Sequence, residues 1–193
     1  MTNAQFDREQ VLRAAMKAFM YKGYGKTSMQ DLKKVTGLHP GSIYCAFDNK
    51  RGLLIAALEQ YRLDRSGEFQ AFFPSSQPVM ISLKNYLNDI VQGCLNCDAP
   101  QACLLTKALS EISEQDEEIQ QIIAHNLQAW QQALAEKLEQ AKIQHELTTT
   151  RDSDHLARFF VMGIYGLRTF AHTYPKTDVL QQLADQLYSD ICA

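Results

Sequence analysis

The chain has 193 residues, of which 46% are hydrophobic, so it is long enough to bury a substantial core as one large or two modest domains. Its net charge of -3 hides an asymmetry, because residues 1–52 hold nine Lys/Arg against four Asp/Glu and residues 53–193 hold ten against eighteen. The basic N-terminal segment attracts phosphate groups, and the acidic remainder of the chain is repelled by nucleic acid.

The same composition excludes several other classes of protein. The N-terminus is polar and the longest apolar run, residues 159–167, is too short to span a bilayer, so we expect a cytoplasmic protein. Five cysteines, an odd number in a chain without a secretion signal, argue against a disulfide framework. Sustained period-two alternation is missing, and Ala, Leu, Gln and Glu fill the periodic segments, which predicts an all-α fold.

The first predicted helix covers residues 7–21 and braces the two short helices after it. Its buried face is predicted to carry Val11, Leu12, Ala15, Met16, Phe19 and Met20. A second, short helix should open at about Ser28, because Thr27 and Gln30 have the spacing of a capping box. Met29, Leu32 and Val35 give this helix one apolar face, and Gly37 is the residue type that leaves a helix through a left-handed conformation.

A third helix is predicted to begin at Pro40, since a first turn does not need the N–H that proline lacks. Ile43 and Phe47 lie four residues apart and should face inward. The outer face would then hold only small or polar groups, with Tyr44 at its border: His39, Ser42, Cys45 and Ala46. Two short helices joined by a tight glycine turn, the second with such a face, indicate a helix-turn-helix that enters the major groove of DNA.

The pattern G-x-x-x-G-S-I-Y-x-x-F-x-N-K, which runs from Gly37 to Lys50, closely resembles the DNA-binding signature of the TetR/AcrR family of transcriptional regulators. The resemblance covers roughly residues 7–61. It implies a DNA-binding set in which Thr27, Tyr44 and Lys50 hold phosphates, with Ser28 beside them, and further residues lie near base edges: His39, Pro40, Gly41, Ser42 and Cys45. The alternative is that Gly41, Tyr44 and Phe47 only pack a three-helix unit, and for Phe47 and Ile43 we expect packing. Pro40 and Cys45 are poor hydrogen-bonding readers, so pairing rules do not predict the operator sequence.

A fourth helix should be capped by Asp48 or Asn49. It is predicted to pack against the first three helices through its apolar residues Leu53, Leu54, Ala57, Leu58 and Tyr61. Residues 72–78, with two prolines and two serines, predict a loop at the domain boundary. By the resemblance, residues 1–52 form a helix-turn-helix DNA-binding domain. Residues 53–193 form a helical effector-sensing and dimerisation domain.

Three cysteines cluster at the end of the helix that begins at Val79 and in the residues after it: Cys94, Cys97 and Cys103. Cys94 belongs to the apolar stripe of that helix, and Cys103 lies on a short helix predicted for residues 100–112. A zinc site lacks a fourth ligand nearby, and a thioredoxin-like site lacks its strand-helix context. Cys103, near a helix start with Lys107 one turn on, is favoured as a thiolate. This segment also resembles the sensing region of electrophile- and oxidant-responsive family members; the alternative is that Cys103 is a small buried hydrophobe.

The longest predicted helix starts at Ser113 to Asp116 and carries an apolar stripe of Ile119, Ile123, Leu127, Trp130, Leu134, Leu138 and Ala141. Trp130 either lines an effector cavity or packs in the core. The next helix, capped by Asp152 and Ser153, is apolar on all sides up to Phe170, and Gly163 and Gly166 allow a neighbouring backbone to come close. The last helix is predicted to place Leu180, Leu183, Leu187 and Ile191 on one face.

The two C-terminal helices predict a four-helix interface with a second copy of the chain, a homodimer that the resemblance also implies. The alternative is burial within one subunit. The sequence has no catalytic constellation, phosphate loop, metal-spaced ligands or cofactor motif, which argues against an enzyme. We therefore expect a regulator, by resemblance a repressor, that a small-molecule effector releases from a palindromic DNA operator. The effector is an electrophile or oxidant sensed at Cys103, or a reversible lipophilic ligand. A helical structural adaptor is the remaining class.

Overall fold

A computed structural model of the chain describes residues 7–95 and 116–193, and every regular element in these stretches is an α-helix. The described helices are α1 (Arg8–Lys22), α2 (Met29–Thr36), α3 (Pro40–Phe47), α4 (Lys50–Phe72), α5 (Val79–Leu95), α6 (Glu117–Ile143), α7 (Ser153–Ala171) and α8 (Thr177–Cys192). The all-α prediction is confirmed. The short helix predicted for residues 100–112 lies outside the described residues.

The described residues form two compact units, the first with residues 7–65 and 116–126 and the second with residues 66–95 and 127–193. Helices α4 and α6 contribute residues to both units. The predicted domain boundary between residues 52 and 53 stays a prediction.

The first unit is built around the buried faces of α1 and α4. Asp7 caps α1 by accepting a hydrogen bond from the Gln10 N–H at 3.1 Å, and Asn49 Oδ1 accepts one from the Gly52 N–H at 2.9 Å at the start of α4. The predicted apolar positions of α1 are buried except Met20, which is half-buried. All five predicted apolar positions of α4 are buried as well: Leu53, Leu54, Ala57, Leu58 and Tyr61.

The second unit has its own hydrophobic core, in which α5, α7 and α8 pack against one another together with the ends of α4 and α6. A loop is present where it was predicted, because α4 ends at Phe72 and α5 begins at Val79, but it lies within the second unit and not at a boundary between the units. The buried side chains include Leu83, Leu87, Leu134, Leu138, Leu156, Phe160 and Ile164. Gly163 allows a close approach, since a Cβ there would lie 2.5 Å from Leu187 Cδ2.

The two C-terminal helices differ from prediction in the direction of their apolar faces. Helix α7 buries one face in its own chain, including Leu167, while Met162 is 59% exposed and Phe170 is 41% exposed. On α8 the position of Leu183 was wrong: it is 42% exposed, and Ala184 is buried beside Leu180 and Leu187 instead. No described helix is long and apolar enough to cross a lipid bilayer.

Candidate nucleic-acid interface

Helices α2 and α3 lie in the first unit and are joined by a turn at Gly37. Gly37 has a φ of 71° and its N–H donates to the Lys33 carbonyl at 3.0 Å, so the left-handed exit predicted for this glycine is confirmed. Helix α3 then begins at Pro40, as predicted. His39 caps it, with its Nδ1 accepting a long hydrogen bond from the Gly41 N–H at 3.4 Å.

The predicted start of α2 was wrong by one residue. Ser28, not Thr27, is the N-cap: its Oγ accepts from the Asp31 N–H at 3.1 Å, and Asp31 Oδ2 accepts from the Ser28 N–H at 2.9 Å. This is a capping box, formed with Asp31 rather than Gln30. Its geometry leaves Ser28 exposed on the surface.

Thr27 cannot be the predicted phosphate ligand through its side chain. It is fully buried, and its hydroxyl donates to the Gly23 carbonyl at 2.6 Å. A buried hydroxyl with a satisfied donor stabilises the α1–α2 turn instead. Of the predicted apolar face of α2, only Leu32 is buried; Met29 is half-buried and Val35 is 46% exposed, because an eight-residue helix has one turn against the core.

The outer face of α3 is what the sequence predicted. Ile43 and Phe47 are buried and hold the helix on the unit's core. The exposed residues on α3 and at its cap are His39, Gly41, Ser42, Tyr44 and Cys45, with Pro40 and Ala46 half-buried. The face therefore offers small groups, one imidazole and one phenol to the solvent, and it has no large aliphatic side chain that would keep it from a groove.

The junction between α3 and α4 fixes the position of Lys50. A Cβ on Gly52 would lie 2.0 Å from the Phe47 carbonyl oxygen, so only glycine permits this tight connection. The Lys50 ammonium lies 4.3 Å from the centre of the Tyr24 ring and donates to the Gly25 carbonyl at 3.5 Å. Lys50 thus stands beside the α1–α2 turn with its charge held near the surface.

The basic residues of the first unit divide into cations with and without a carboxylate partner. Arg13 pairs with Asp64 at 2.8 Å and Lys22 with Asp31 at 2.5 Å, and the hydrogen bond from Lys22 is the first cause of an Asp31 pKa well below the usual range of a carboxyl group. Lys33 and Lys34, both exposed at the end of α2, have no ion pair with any described residue. These two lysines keep the positive potential that attracts phosphate.

The ionic cluster around Arg51 was also missed by sequence reasoning. Arg51, the second residue of α4, pairs with Asp116 and Glu118 at the start of α6, each at 2.5 Å. Sixty-five residues separate Arg51 from Asp116, and no local pattern links them. Only the positive charge of Arg51 beside Lys50 was visible in the sequence.

The predicted sensing residues are only partly covered. Cys103 and Lys107 lie outside the described residues. Trp130 belongs to the second unit, is half-buried against its core, and meets Tyr165 edge-on with ring centres 6.0 Å apart. Its Nε1 is buried and has no hydrogen-bond acceptor within the described ranges.

The chain matches two sequence models of known families. Residues 11–57 match the family described as bacterial regulatory proteins, tetR family, and residues 81–187 match the tetracyclin repressor-like C-terminal domain. Over 181 residues it is 29% identical to the HTH-type transcriptional repressor ComR of Escherichia coli K12. The matched region covers 93% of this chain and 86% of ComR.

Solved structures with the same fold include regulators of this type. E. coli NemR in its reduced form has a TM-score of 0.86 at 18% identity, covering 96% of this chain and 97% of NemR. A cysteine mutant of the TetR family regulator CifR, in complex with 26-bp double-stranded operator DNA, has a TM-score of 0.84 at 21% identity and covers 98% of both chains. At these identities the likeness concerns the fold.

Proposed function

Because this chain belongs to the TetR family of bacterial transcriptional regulators, we propose that it is a repressor that holds a palindromic operator as a homodimer and is released by a small-molecule effector. The chain is a regulator of the TetR type and not an enzyme or a structural adaptor. In this proposal residues 1–52 bind DNA and residues 53–193 sense the effector and dimerise. We expect it to act in the cytoplasm, where bacterial DNA lies.

The exposed face of α3 is the observation that carries the DNA-binding proposal. Small side chains let the helix backbone approach base edges, where the proposed readers are His39, Pro40, Gly41, Ser42 and Cys45. Tyr44, 50% exposed, and Lys50 hold phosphates on either side, and Ser28 adds a contact at the N-terminus of α2. Thr27 leaves this set because it is buried.

The DNA-binding proposal is tested by measuring operator affinity at several salt concentrations for Tyr44→Ala and Lys50→Ala. Each should weaken binding to all sequences, and Lys50→Ala should also lower the slope of log affinity against log salt by about one, since one phosphate contact is lost. Lys84→Ala, which removes an exposed cation from α5, is the matched control and should change neither quantity. Wild-type affinity and slope in both variants would remove these residues from the interface.

The homodimer is proposed to form through α7 and α8. Met162, Gly166 and Phe170 recur every four residues on the exposed face of α7, and a Cβ on Gly166 would meet no atom within 4 Å. Met162 and Phe170 on α7 and Leu183 on α8 are 59%, 41% and 42% exposed, and a second copy of the chain that covered them would remove their apolar surface from water. A two-fold axis between two such surfaces would present two α3 helices to a two-fold symmetric operator.

Two effector chemistries remain open in this proposal. In the first, Cys103 with Lys107 reacts with electrophiles or oxidants; proteins of the same fold include a regulator known in a reduced form and one with substituted cysteines. In the second, a lipophilic ligand binds reversibly beside Trp130. The buried Nε1 of Trp130, without an acceptor among the described residues, favours this second mode for a ligand that carries an oxygen.

A further inference from the structure

An arginine at the start of α4 is held by two carboxylates from the start of α6. Arg51 Nε donates to Asp116 Oδ2 at 2.5 Å and its Nη2 donates to Asp116 Oδ1 at 2.9 Å, which is the bidentate fork of a strong arginine–carboxylate pair. The same Nη2 donates to Glu118 Oε2 at 2.5 Å. All three residues belong to the first compact unit, together with the helix-turn-helix.

The cluster is anchored on the α6 side. Asp116 Oδ1 also accepts from the Ile119 N–H at 3.2 Å, the geometry of a helix cap, so the carboxylate is fixed to the helix that begins after it. The hydrogen bond from Arg51 is the first cause that lowers the pKa of Asp116, to about 2. Asp116 is therefore ionised at neutral pH and keeps its hold on the guanidinium.

The first turn of α4 also contacts the α1–α2 turn, through Lys50 and Tyr24. Burial raises the pKa of Tyr24, which lies in that turn. The charge of Asp116 adds to this rise in the pKa, and the charge of Arg51 opposes it. The Tyr24 ring in turn holds the Lys50 ammonium at 4.3 Å and packs on the buried Phe19 with ring centres 5.7 Å apart. The first turn of α4 thus has fixed contacts with the α1–α2 turn and with α6.

The positive charge of Arg51 is not free to act on DNA. Two carboxylates face one guanidinium, and the fork is occupied by Asp116, so a phosphate would have to displace an ion pair. Lys50, its neighbour, contacts the Tyr24 ring and the Gly25 carbonyl, so its ammonium group is oriented beside the α1–α2 turn.

On the basis of the DNA-binding function proposed above, we propose that Arg51 is a positioning residue for DNA binding. Its ion pairs with Asp116 and Glu118 hold the first turn of α4, which carries Lys50, where the positive end of the helix dipole meets an operator phosphate. Two acidic side chains at the start of α6 therefore strengthen DNA binding, although their charge repels DNA.

The direction in which DNA affinity changes when these carboxylates are neutralised distinguishes a positioning role from a purely electrostatic one. If Asp116 and Glu118 acted only through their charge, neutralising either would raise DNA affinity at low salt. If they hold Arg51, neutralising them releases the first turn of α4 and operator affinity falls. Asparagine suits the test because it remains a good helix cap while it loses the charge, so α6 keeps its start.

The experiment measures the affinity of the full-length protein for an operator duplex in Asp116→Asn, Arg51→Met and the double variant. Asp116→Asn should weaken binding about tenfold, the usual scale of coupling within one ion-pair network, and the double variant should bind no worse than Arg51→Met. The slope of log affinity against log salt should stay at the wild-type value, unlike that of Lys50→Ala, because Lys50 still reaches its phosphate in the complex and the variant adds only the cost of ordering the first turn of α4.

Glu117→Gln is the matched control. Glu117 lies between the two carboxylates in the first turn of α6, accepts from Gln121 Nε2 at 3.3 Å and does not touch Arg51. Its neutralisation should leave affinity unchanged or slightly raised. Affinity in Asp116→Asn equal to or above that of Glu117→Gln, or additive losses in the double variant, would overturn the proposal. A wild-type protein that retains no duplex DNA would instead overturn the proposed function.

Discussion

Two glutamate substitutions on α7, Leu167→Glu and Met162→Glu, distinguish the core of the subunit from the proposed dimer surface. Leu167 is 5% exposed and belongs to the hydrophobic core of the second unit, whereas Met162 is 59% exposed on the opposite face of the same helix. Leu167→Glu should unfold the protein, and Met162→Glu should give a folded monomer. The sequence alone would have placed Leu167 in the interface.

The magnitudes depend on burial. Replacing buried Leu167 costs about 2–5 kcal/mol in lost packing and several more for the buried carboxylate, comparable to the roughly 5–15 kcal/mol that holds a domain together. Met162→Glu changes an exposed position, so the free energy of unfolding of the isolated subunit should change by no more than about 0.5 kcal/mol. In a symmetric dimer the change occurs twice, and about 3 kcal/mol for each buried charge weakens association on the order of 10⁴-fold.

Sedimentation velocity at micromolar concentration and thermal melting by circular dichroism together distinguish a folded monomer from an unfolded chain. Ile143→Glu, at a position 72% exposed near the end of α6, is the control for adding a charge to a surface aliphatic residue and should remain a dimer. A Met162→Glu protein that is still dimeric with the wild-type melting temperature would move the interface away from this face of α7. A folded Leu167→Glu protein would show that Leu167 does not belong to the core.

Three further predictions concern the caps, pH and the cysteines. Ser28→Ala removes a side-chain cap and should cost about 1 kcal/mol, which for a chain of this size lowers the melting temperature by roughly 2–4 °C; an unchanged melting curve would show that the cap contributes nothing. Arg51 lowers the pKa of Asp116 to about 2 from an unfolded value of about 3.9, so the stabilisation is complete above pH 4 and is lost as the pH falls toward 2. Urea midpoints of wild type and Asp116→Asn should therefore converge in that window, and a constant difference would contradict it. Brief treatment with a limiting electrophile should label Cys103 before Cys192 by mass spectrometry, and Cys103→Ser should stay on DNA; equal labelling, or release of the serine variant, would favour the reversible ligand.

Local signals made the helix-turn-helix predictable. Gly37 and Pro40 determine the backbone conformation only within a few residues, so the turn and the start of α3 were predicted correctly from the sequence. The start of α2 was wrong because Thr27 and Ser28 both offer a hydroxyl, and only the fold shows that Thr27 is buried against Gly23. Spacing alone does not choose between adjacent caps.

Non-local features were not predictable. Helix α7 is apolar on nearly all sides, so its period could not show that Leu167 faces its own core while Met162 faces outward. The pairing of Arg51 with Asp116 joins residues 65 positions apart, and the sequence shows only two opposite charges among many. Side-chain direction and long-range ion pairs come from tertiary packing.

Selection of DNA from fragmented genomic DNA by the purified full-length protein tests the central claim most directly. After washing at moderate salt, the retained fragments are sequenced and compared with those retained by Lys50→Ala. We expect one enriched motif with two-fold symmetry, its half-sites roughly one helical turn of about 10 bp or a multiple apart, and weak recovery by the variant. Fragments without a shared motif, a motif lacking symmetry, or equal recovery by Lys50→Ala would contradict this claim.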